Sequence, residues 1–375
     1  LALEMSLLDK RAEYRAGYQA SSAPLAEYNF PCSLLSNETG VGSLQSLRLA
    51  SCAFHPPRTA LGCHKSLTSL HLRCVRITGK ELGRFASNCH ALAKLLIYGC
   101  DGIIYLRVPG VLWHLNHFHV AGCKKLRVVE ISAPKLSSFV CGENLPQISL
   151  GAKEVKHITV RSSQPNTICY ARTILPSFMP AVERVTVESL GEKVKTPMMS
   201  SKFLHLKYLD IYLVNVVRHY LSDYSCLVSF LEASPALETF ILDIQTDEML
   251  VHDSVFRDLD GGAQLHLRQL PECWHHNLKN VRVTGFTSTK GLIKFTRYIV
   301  QNSLVLECMT LDTASGCGRR TTKRIKCAPM SEGGLREARK AVEAVRTCIE
   351  GTMRPSTNLK ALGPCSQCGY EGSSV

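Results

Sequence analysis

Leu44-Gln45-Ser46-Leu47-Arg48-Leu49-Ala50-Ser51-Cys52 sets leucines at its first, fourth and sixth places and a small thiol at its ninth. The pattern returns as Leu67, Leu70, Leu72 with Val75, as Leu92, Leu95, Ile97 with Cys100, and as Leu115, Phe118, Val120 with Cys123. The starting residues lie 23, 25 and 23 apart. Side chains alternate across a strand, so in x-L-x-L-x the apolar pair shares one face and the x residues share the other. One such strand cannot bury its apolar face alone. Units stacked in parallel can, around a continuous core.

A period of roughly 20 to 29 residues with this core is that of a leucine-rich repeat. It predicts an α/β solenoid, a horseshoe of parallel strands closed by a helical C-terminal cap. The series continues with looser spacing through Leu136/Phe139, Val155/Ile158/Val160, Val182/Val185/Val187 and Leu206/Leu209/Ile211. Leu237/Phe240/Leu242, Leu278/Val281/Val283 and Leu306/Met309/Leu311 close it. Leu126, Val129 and Ile131 also fit, only 11 residues after Leu115. They are either one very short repeat or the return path of another.

Return segments read as helices. Thr78-Gly-Lys-Glu81 is a capping-box pattern, followed by Leu82, Phe85 and Cys89 on one helical face. Gly291–Gln301 and Cys226–Ala233 have the same helical spacing, and Pro235 ends the latter. Residues 312–334 carry Gly, Ser, Thr and the basic run Arg319–Lys326, which reads as an exposed loop. Leu335, Ala338, Val342, Val345 and Ile349 then recur at steps of 3 and 4, an amphipathic helix that caps the last repeat. The organisation expected is an N-terminal flank or cap over 1–40, repeats over 41–312, a basic loop over 313–334, and a capping helix with tail over 335–375.

The 375 residues are 45% apolar and 20% charged, a globular balance. No apolar run is long enough for a membrane helix. LALEMSLLDKRAEYR places its charges after the apolar run, the reverse of an export signal, so a cytoplasmic or nuclear protein is expected. Seventeen cysteines are therefore expected as reduced thiols, and the one sequon, Asn37-Glu-Thr39, as chance. The +13 net charge is spread along the chain, so nucleic acid is not the expected partner. Cys52, Cys100 and Cys123 read as buried turn fillers.

No catalytic motif stands out, and neither a cofactor nor a metal is expected; the protein reads as a binding module, not an enzyme. Cys365-x-x-Cys368 is one thiol pair where structural zinc takes four ligands, and Cys317 and Cys327 do not complete a known spacing. In His114-Leu-Asn-His117-Phe-His119, the strand phase turns His117 and His119 outward around an inward Phe118. They join Arg48, His71, Arg73, Lys94 and Tyr98 on the face that a solenoid curves inward, the expected partner-binding surface. This half is basic and suits an acidic or phosphorylated segment of a protein substrate. Later strands turn Glu188, Tyr208, Asp210, Tyr212 and Asp243 outward, a more acidic end.

Four segments in order carry a resemblance. They are Glu27-Tyr-Asn-Phe-Pro-Cys-Ser-Leu-Leu-Ser36 with Leu47–Phe54; Leu126-Arg-Val-Val-Glu-Ile-Ser-Ala-Pro134 with Lys135–Phe139; Asn277–Phe286 with Leu304–Asp312; and Glu337–Ala341 through Pro364-Cys-Ser-Gln-Cys368. Together they resemble the repeat region of plant F-box/LRR proteins with an FBD-like C-terminal region. The resemblance implies the substrate-recognition part of an SCF ubiquitin ligase receptor. In that class an F-box of roughly forty residues, ahead of the repeats, binds the Skp adaptor and through it the cullin. Residues 1–24 show no three-helix apolar pattern with an early Leu-Pro. Skp and cullin are thus expected partners only if the full-length chain has an F-box. The alternative is a free-standing repeat scaffold unconnected to ubiquitin transfer.

Overall fold

The computed structural model describes residues 2–6, 28–35, 44–57, 65–142, 146–150, 155–162, 167–179, 181–190, 201–214, 224–245, 254–256, 273–314 and 330–364. They fall in two compact units: Leu1–Ser162 with Phe178–Val182, and Ser163–Ser177 with Glu183–Val375.

The strands of unit 1, in chain order, are β1 (Ala2–Ser6), β2 (Ser46–Ala50), β3 (Ser69–Arg73), β4 (Lys94–Tyr98) and β5 (Tyr105–Val108). β6 (His117–Ala121), β7 (Val128–Ile131), β8 (Ser138–Gly142), β9 (Gln147–Leu150) and β10 (His157–Ser162) follow. β1, β2, β3, β4, β6, β8 and β10 form one parallel ladder. Leu47, Leu70, Leu95 and Phe118 are register neighbours on successive rungs, and all four are buried. The ring of Phe118 stacks on Phe139 of the next rung, with centroids 5.3 Å apart. Cys52, Cys100, Cys123 and Cys141 are buried thiols, and burial raises the pKa of Cys52 to about 11 and of Cys141 to about 12.

The open question at Leu126–Ile131 has a definite answer. β5, β7 and β9 form a second parallel sheet, so these repeats return through a short strand instead of a helix. Leu106, Val108, Val129, Ile131 and Ile148 alternate inward from it and are buried. The turn into β5 is tight: a Cβ on Gly102 would lie 2.6 Å from the Ile77 carbonyl oxygen. The main ladder also ends its strands alike. Ser51, Cys74, Gly99 and Gly122 directly follow β2, β3, β4 and β6, all with φ between 50 and 67. That left-handed residue turns each chain out of its rung.

Helix α1 (Gly79–Ser87) has the expected capping box: Thr78 accepts from the Glu81 amide, and Glu81 accepts from the Thr78 amide. His55 also contacts the Glu81 carboxylate, at 2.9 Å.

In unit 2, α2 (Thr167–Phe178) precedes β11 (Arg184–Leu190) and β12 (Tyr208–Val214). α3 (Ser225–Ala233), β13 (Thr239–Gln245), β14 (Asn280–Thr284) and α4 (Lys290–Asn302) follow. β15 (Cys308–Asp312), α5 (Glu332–Cys348) and β16 (Asn358–Leu362) complete it. β11 to β16 form a parallel ladder in chain order. The residue before each strand alternates in sign, Lys207, Glu238, Lys279 and Glu307, each donating its amide to the carbonyl of its predecessor. Placing opposite charges on neighbouring rungs favours this register by a few tenths of a kcal/mol per pair.

Two rungs lie in segments that the sequence assigns to a flank and a tail. β1 pairs with β2, and β16 pairs with β15 after the capping helix. The basic run Arg319–Lys326, the thiols at 317, 327, 365 and 368, and the sequon at Asn37 lie outside the described residues, as do residues 7–24 of the F-box question.

Candidate partner-binding face

The register of unit 1 fixes which residues share the outward face of its main ladder. One row runs Ser46, Ser69, Lys94, His117, Ser138, His157. The middle row runs Glu4, Arg48, His71, Leu96, His119, Val140, Thr159. The third carries Arg73, Tyr98 and Ala121, and Gly142 pairs with Arg161. The register sets Arg48, His71, Arg73, Lys94, Tyr98, His117 and His119 on one side of this ladder. Arg48 and Lys94 are exposed; His71, Arg73, Tyr98, His117 and His119 are half-buried.

Tyr98 is the hub. Its hydroxyl shares a 2.8 Å hydrogen bond with His119 Nδ1. Its ring lies 4.5 Å from that imidazole and packs edge-on against His71 at 5.3 Å. His117 Nδ1 shares a 3.1 Å hydrogen bond with the Ser138 hydroxyl. Burial lowers the pKa of His119 to about 4, helped by the neighbouring His117, Arg161 and His71. Burial and then Lys94 lower that of His117. Near neutral pH both rings are therefore uncharged, held by packing among cations.

The arrangement is a mostly cationic outward face with Tyr98 at its centre. Among the described residues, no group of three His, Cys, Asp or Glu is placed to hold a metal. Burial raises the pKa of Cys52 and Cys141, which is the inert direction. Neither Arg161 nor His157 was singled out from sequence. The signal was present, since the phase set by Ile158 and Val160 turns Arg161 outward.

Of the five residues expected outward on later strands, Glu188, Tyr208 and Tyr212 are half-buried, and two are corrected. Asp210 and Asp243 are buried rather than presented. Asp210 accepts a 3.1 Å hydrogen bond from Arg184, whose guanidinium lies 4.4 Å over the Tyr208 ring. Alternation gives the face of a residue; it cannot say whether neighbouring side chains cover it.

Among the described residues, no helix is long and apolar enough to cross a membrane. A family model described as At1g61320/AtMIF1, LRR domain, matches residues 19–366. Comparison with curated proteins gave no match.

Proposed function

The chain belongs to the At1g61320/AtMIF1 leucine-rich-repeat domain family, and we propose that it is a protein-interaction module whose outward face in unit 1 grips a negatively charged segment of a partner protein. One observation carries the reading. Among the described outward positions of this ladder, Glu4 on its edge strand β1, beside Arg48, is the one acid, while Arg48, Arg73, Lys94 and Arg161 are all cationic. An extended cationic face with an aromatic hub at Tyr98 suits charge-assisted hydrogen bonding along a peptide. The protein acts by binding, not catalysis, in the cytoplasm or nucleus.

The ordered segments from Glu27 to Cys368 support a finer reading. The module is the substrate-recognition part of an F-box-type ubiquitin ligase receptor. It holds a target beside the ligase and so raises its effective concentration there. Affinity capture with mass spectrometry, read for Skp and cullin subunits as well as targets, tests both levels. Targets with Skp and cullin are expected. Targets without them would leave a free-standing scaffold. Capture unchanged by joint charge reversal of Arg48, Arg73 and Lys94 would remove the face assignment.

A further inference from the structure

Trp113 is 60% exposed, more than any other large apolar side chain among the described residues. The turn that carries it is longer than the two that match it. Val108, Ile131 and Leu150 are register partners at the ends of β5, β7 and β9. From Ile131 the chain reaches the leading residue of its next rung, Leu136, in five steps, and from Leu150 it reaches Val155 in five. From Val108 to Leu115 it takes seven. The two extra residues lengthen the 109–114 turn, where Leu112 is fully buried while Val111 and Trp113 on either side of it stand 43% and 60% exposed. Leu112 donates its amide to the Pro109 carbonyl, and Leu115 donates to the Leu112 carbonyl. A buried peg and these backbone bonds thus fix the turn with Val111 and Trp113 in water. An exposed indole adds little burial to the fold, and Trp is among the residue types that dominate interface energetics.

The surroundings define the occupant. Trp113 lies four residues ahead of His117, the first residue of β6, so their backbones are at most ~13 Å apart. Such a span is about four residues of extended peptide. Lys94 is the register partner of His117, and Lys65, His90 and Lys135 are exposed on the corresponding turns of neighbouring rungs. Successive turns adjoin, since Ala93, Asn116 and Ser137 each donate an amide to the carbonyl one rung back. Turn residues 65–68, 90–93, 113–116 and 134–137 contain no acid. Among the described residues, no carboxylate pairs with Lys65, Lys94 or Lys135. We propose that Val111 and Trp113 are the apolar anchor of the docking surface, seating a bulky apolar side chain that lies, at that spacing, beyond the acidic stretch of the partner segment. The proposal rests on the reading of the outward face as the partner-binding surface. Other occupants fit less well. Membrane binding scales with buried apolar area, and two side chains offer little. A second copy, itself +13, would set cations against these cations.

The test uses the full chain carrying Trp274→Phe, which leaves Trp113 as its one tryptophan and its fluorescent reporter. The probes are the peptide Glu-Asp-Glu-Ser-Gly-Ser-Phe, the same residues in reverse order, the counterparts of both with serine for phenylalanine, and vesicles of equimolar phosphatidylcholine and phosphatidylserine. One of the two phenylalanine peptides should move the Trp113 emission saturably to shorter wavelength and bind about tenfold tighter than its serine counterpart. Val111→Ser should weaken that binding. An unmoved emission, or equal affinity for the serine counterpart, overturns the proposal. An equal shift with the vesicles assigns the pair to a membrane, and a shift with protein concentration alone assigns it to a second copy; either overturns the proposal. Urea unfolding of Trp113→Ser should match the wild type, and a lowered midpoint would make Trp113 a structural residue and overturn it too. A second arm separates this inference from its premise. Trp113→Ser should reduce capture of a partner that charge reversal of Arg48, Arg73 and Lys94 abolishes. Capture lost on charge reversal but unchanged in Trp113→Ser refutes the anchor alone; indifference to both refutes the docking face itself.

Discussion

Glu337 on α5 accepts the backbone amide of Ser288 at 2.7 Å, and both residues are buried. Ser288 sits just ahead of α4, whose N-cap Thr289 makes no side-chain cap hydrogen bond. The carboxylate thus satisfies a buried donor and lies near the positive end of a helix dipole. It ties the last long helix to the repeats of unit 2. Glu337→Ala leaves that donor buried without its acceptor and should cost about 1–3 kcal/mol. Glu337→Gln keeps an oxygen there and should cost less. Urea unfolding of the two variants checks the order; equal losses would mean that the bond contributes little.

Gly285 follows β14 with φ +69, and a Cβ there would fall 1.9 Å from the Ile244 carbonyl oxygen. Two costs coincide: the left-handed backbone, about 1–2 kcal/mol for a residue with a side chain, and a clash with backbone that cannot rotate away. Gly285→Ala should lower the urea midpoint clearly. Gly351→Ala is the control, because open space surrounds that position. Its midpoint should stay within the scatter of the wild type.

Phe118 and His117 are adjacent on β6 but point to opposite faces. Phe118 is fully buried in its stack with Phe139. Phe118→Ala should cost on the order of 3–5 kcal/mol through lost burial and the cavity left behind. His117→Ala should change stability by much less, since that side chain is half-exposed on the outward face. Thermal unfolding of the pair reads the alternation directly, and similar losses would place the core on the wrong side.

His119 and His275 each have a pKa lowered to about 4, chiefly by burial. The His275 Nε2 also shares a 3.3 Å hydrogen bond with the Tyr298 hydroxyl. In the unfolded chain such rings take up protons below about pH 6.5, while the folded chain resists until near 4. Their contribution is therefore complete above about 6.5 and lost as pH falls towards 4. Melting temperature measured over that interval should drop, and His275→Gln should flatten part of the slope. A slope unchanged in the variant would assign the acid sensitivity to other groups.

Most of the ladder could be read from the sequence, because aliphatic alternation at Leu47/Leu49, Leu70/Leu72 or Val281/Val283 reports burial directly. What escaped reading had weaker physical signals. β16 has Ser356 where the preceding rung has its leading Leu306. α2 holds Pro176 within the helix, a residue that argues against helix in a sequence reading. The strands β5, β7 and β9 have the alternation of a rung, so phase alone could not separate a return path from a short repeat. On the candidate face, phase puts the seven residues on the same side of the ladder that the register does. The contacts centred on Tyr98, and the burial of Asp210 and Asp243, depend on which rungs adjoin in space, which no local pattern contains.

The most direct measurement compares two charge reversals of equal size in unit 1 against one purified partner. Arg48→Glu/Arg73→Glu/Lys94→Glu alters the outward face of the main ladder; Lys124→Glu/Lys125→Glu/Arg127→Glu alters the exposed return side. The account predicts that the first weakens Kd by at least about a hundredfold, two or more charged contacts being lost, and that the second leaves it within about threefold. Equal weakening by both would show that net charge, not this face, governs binding, and would contradict the account.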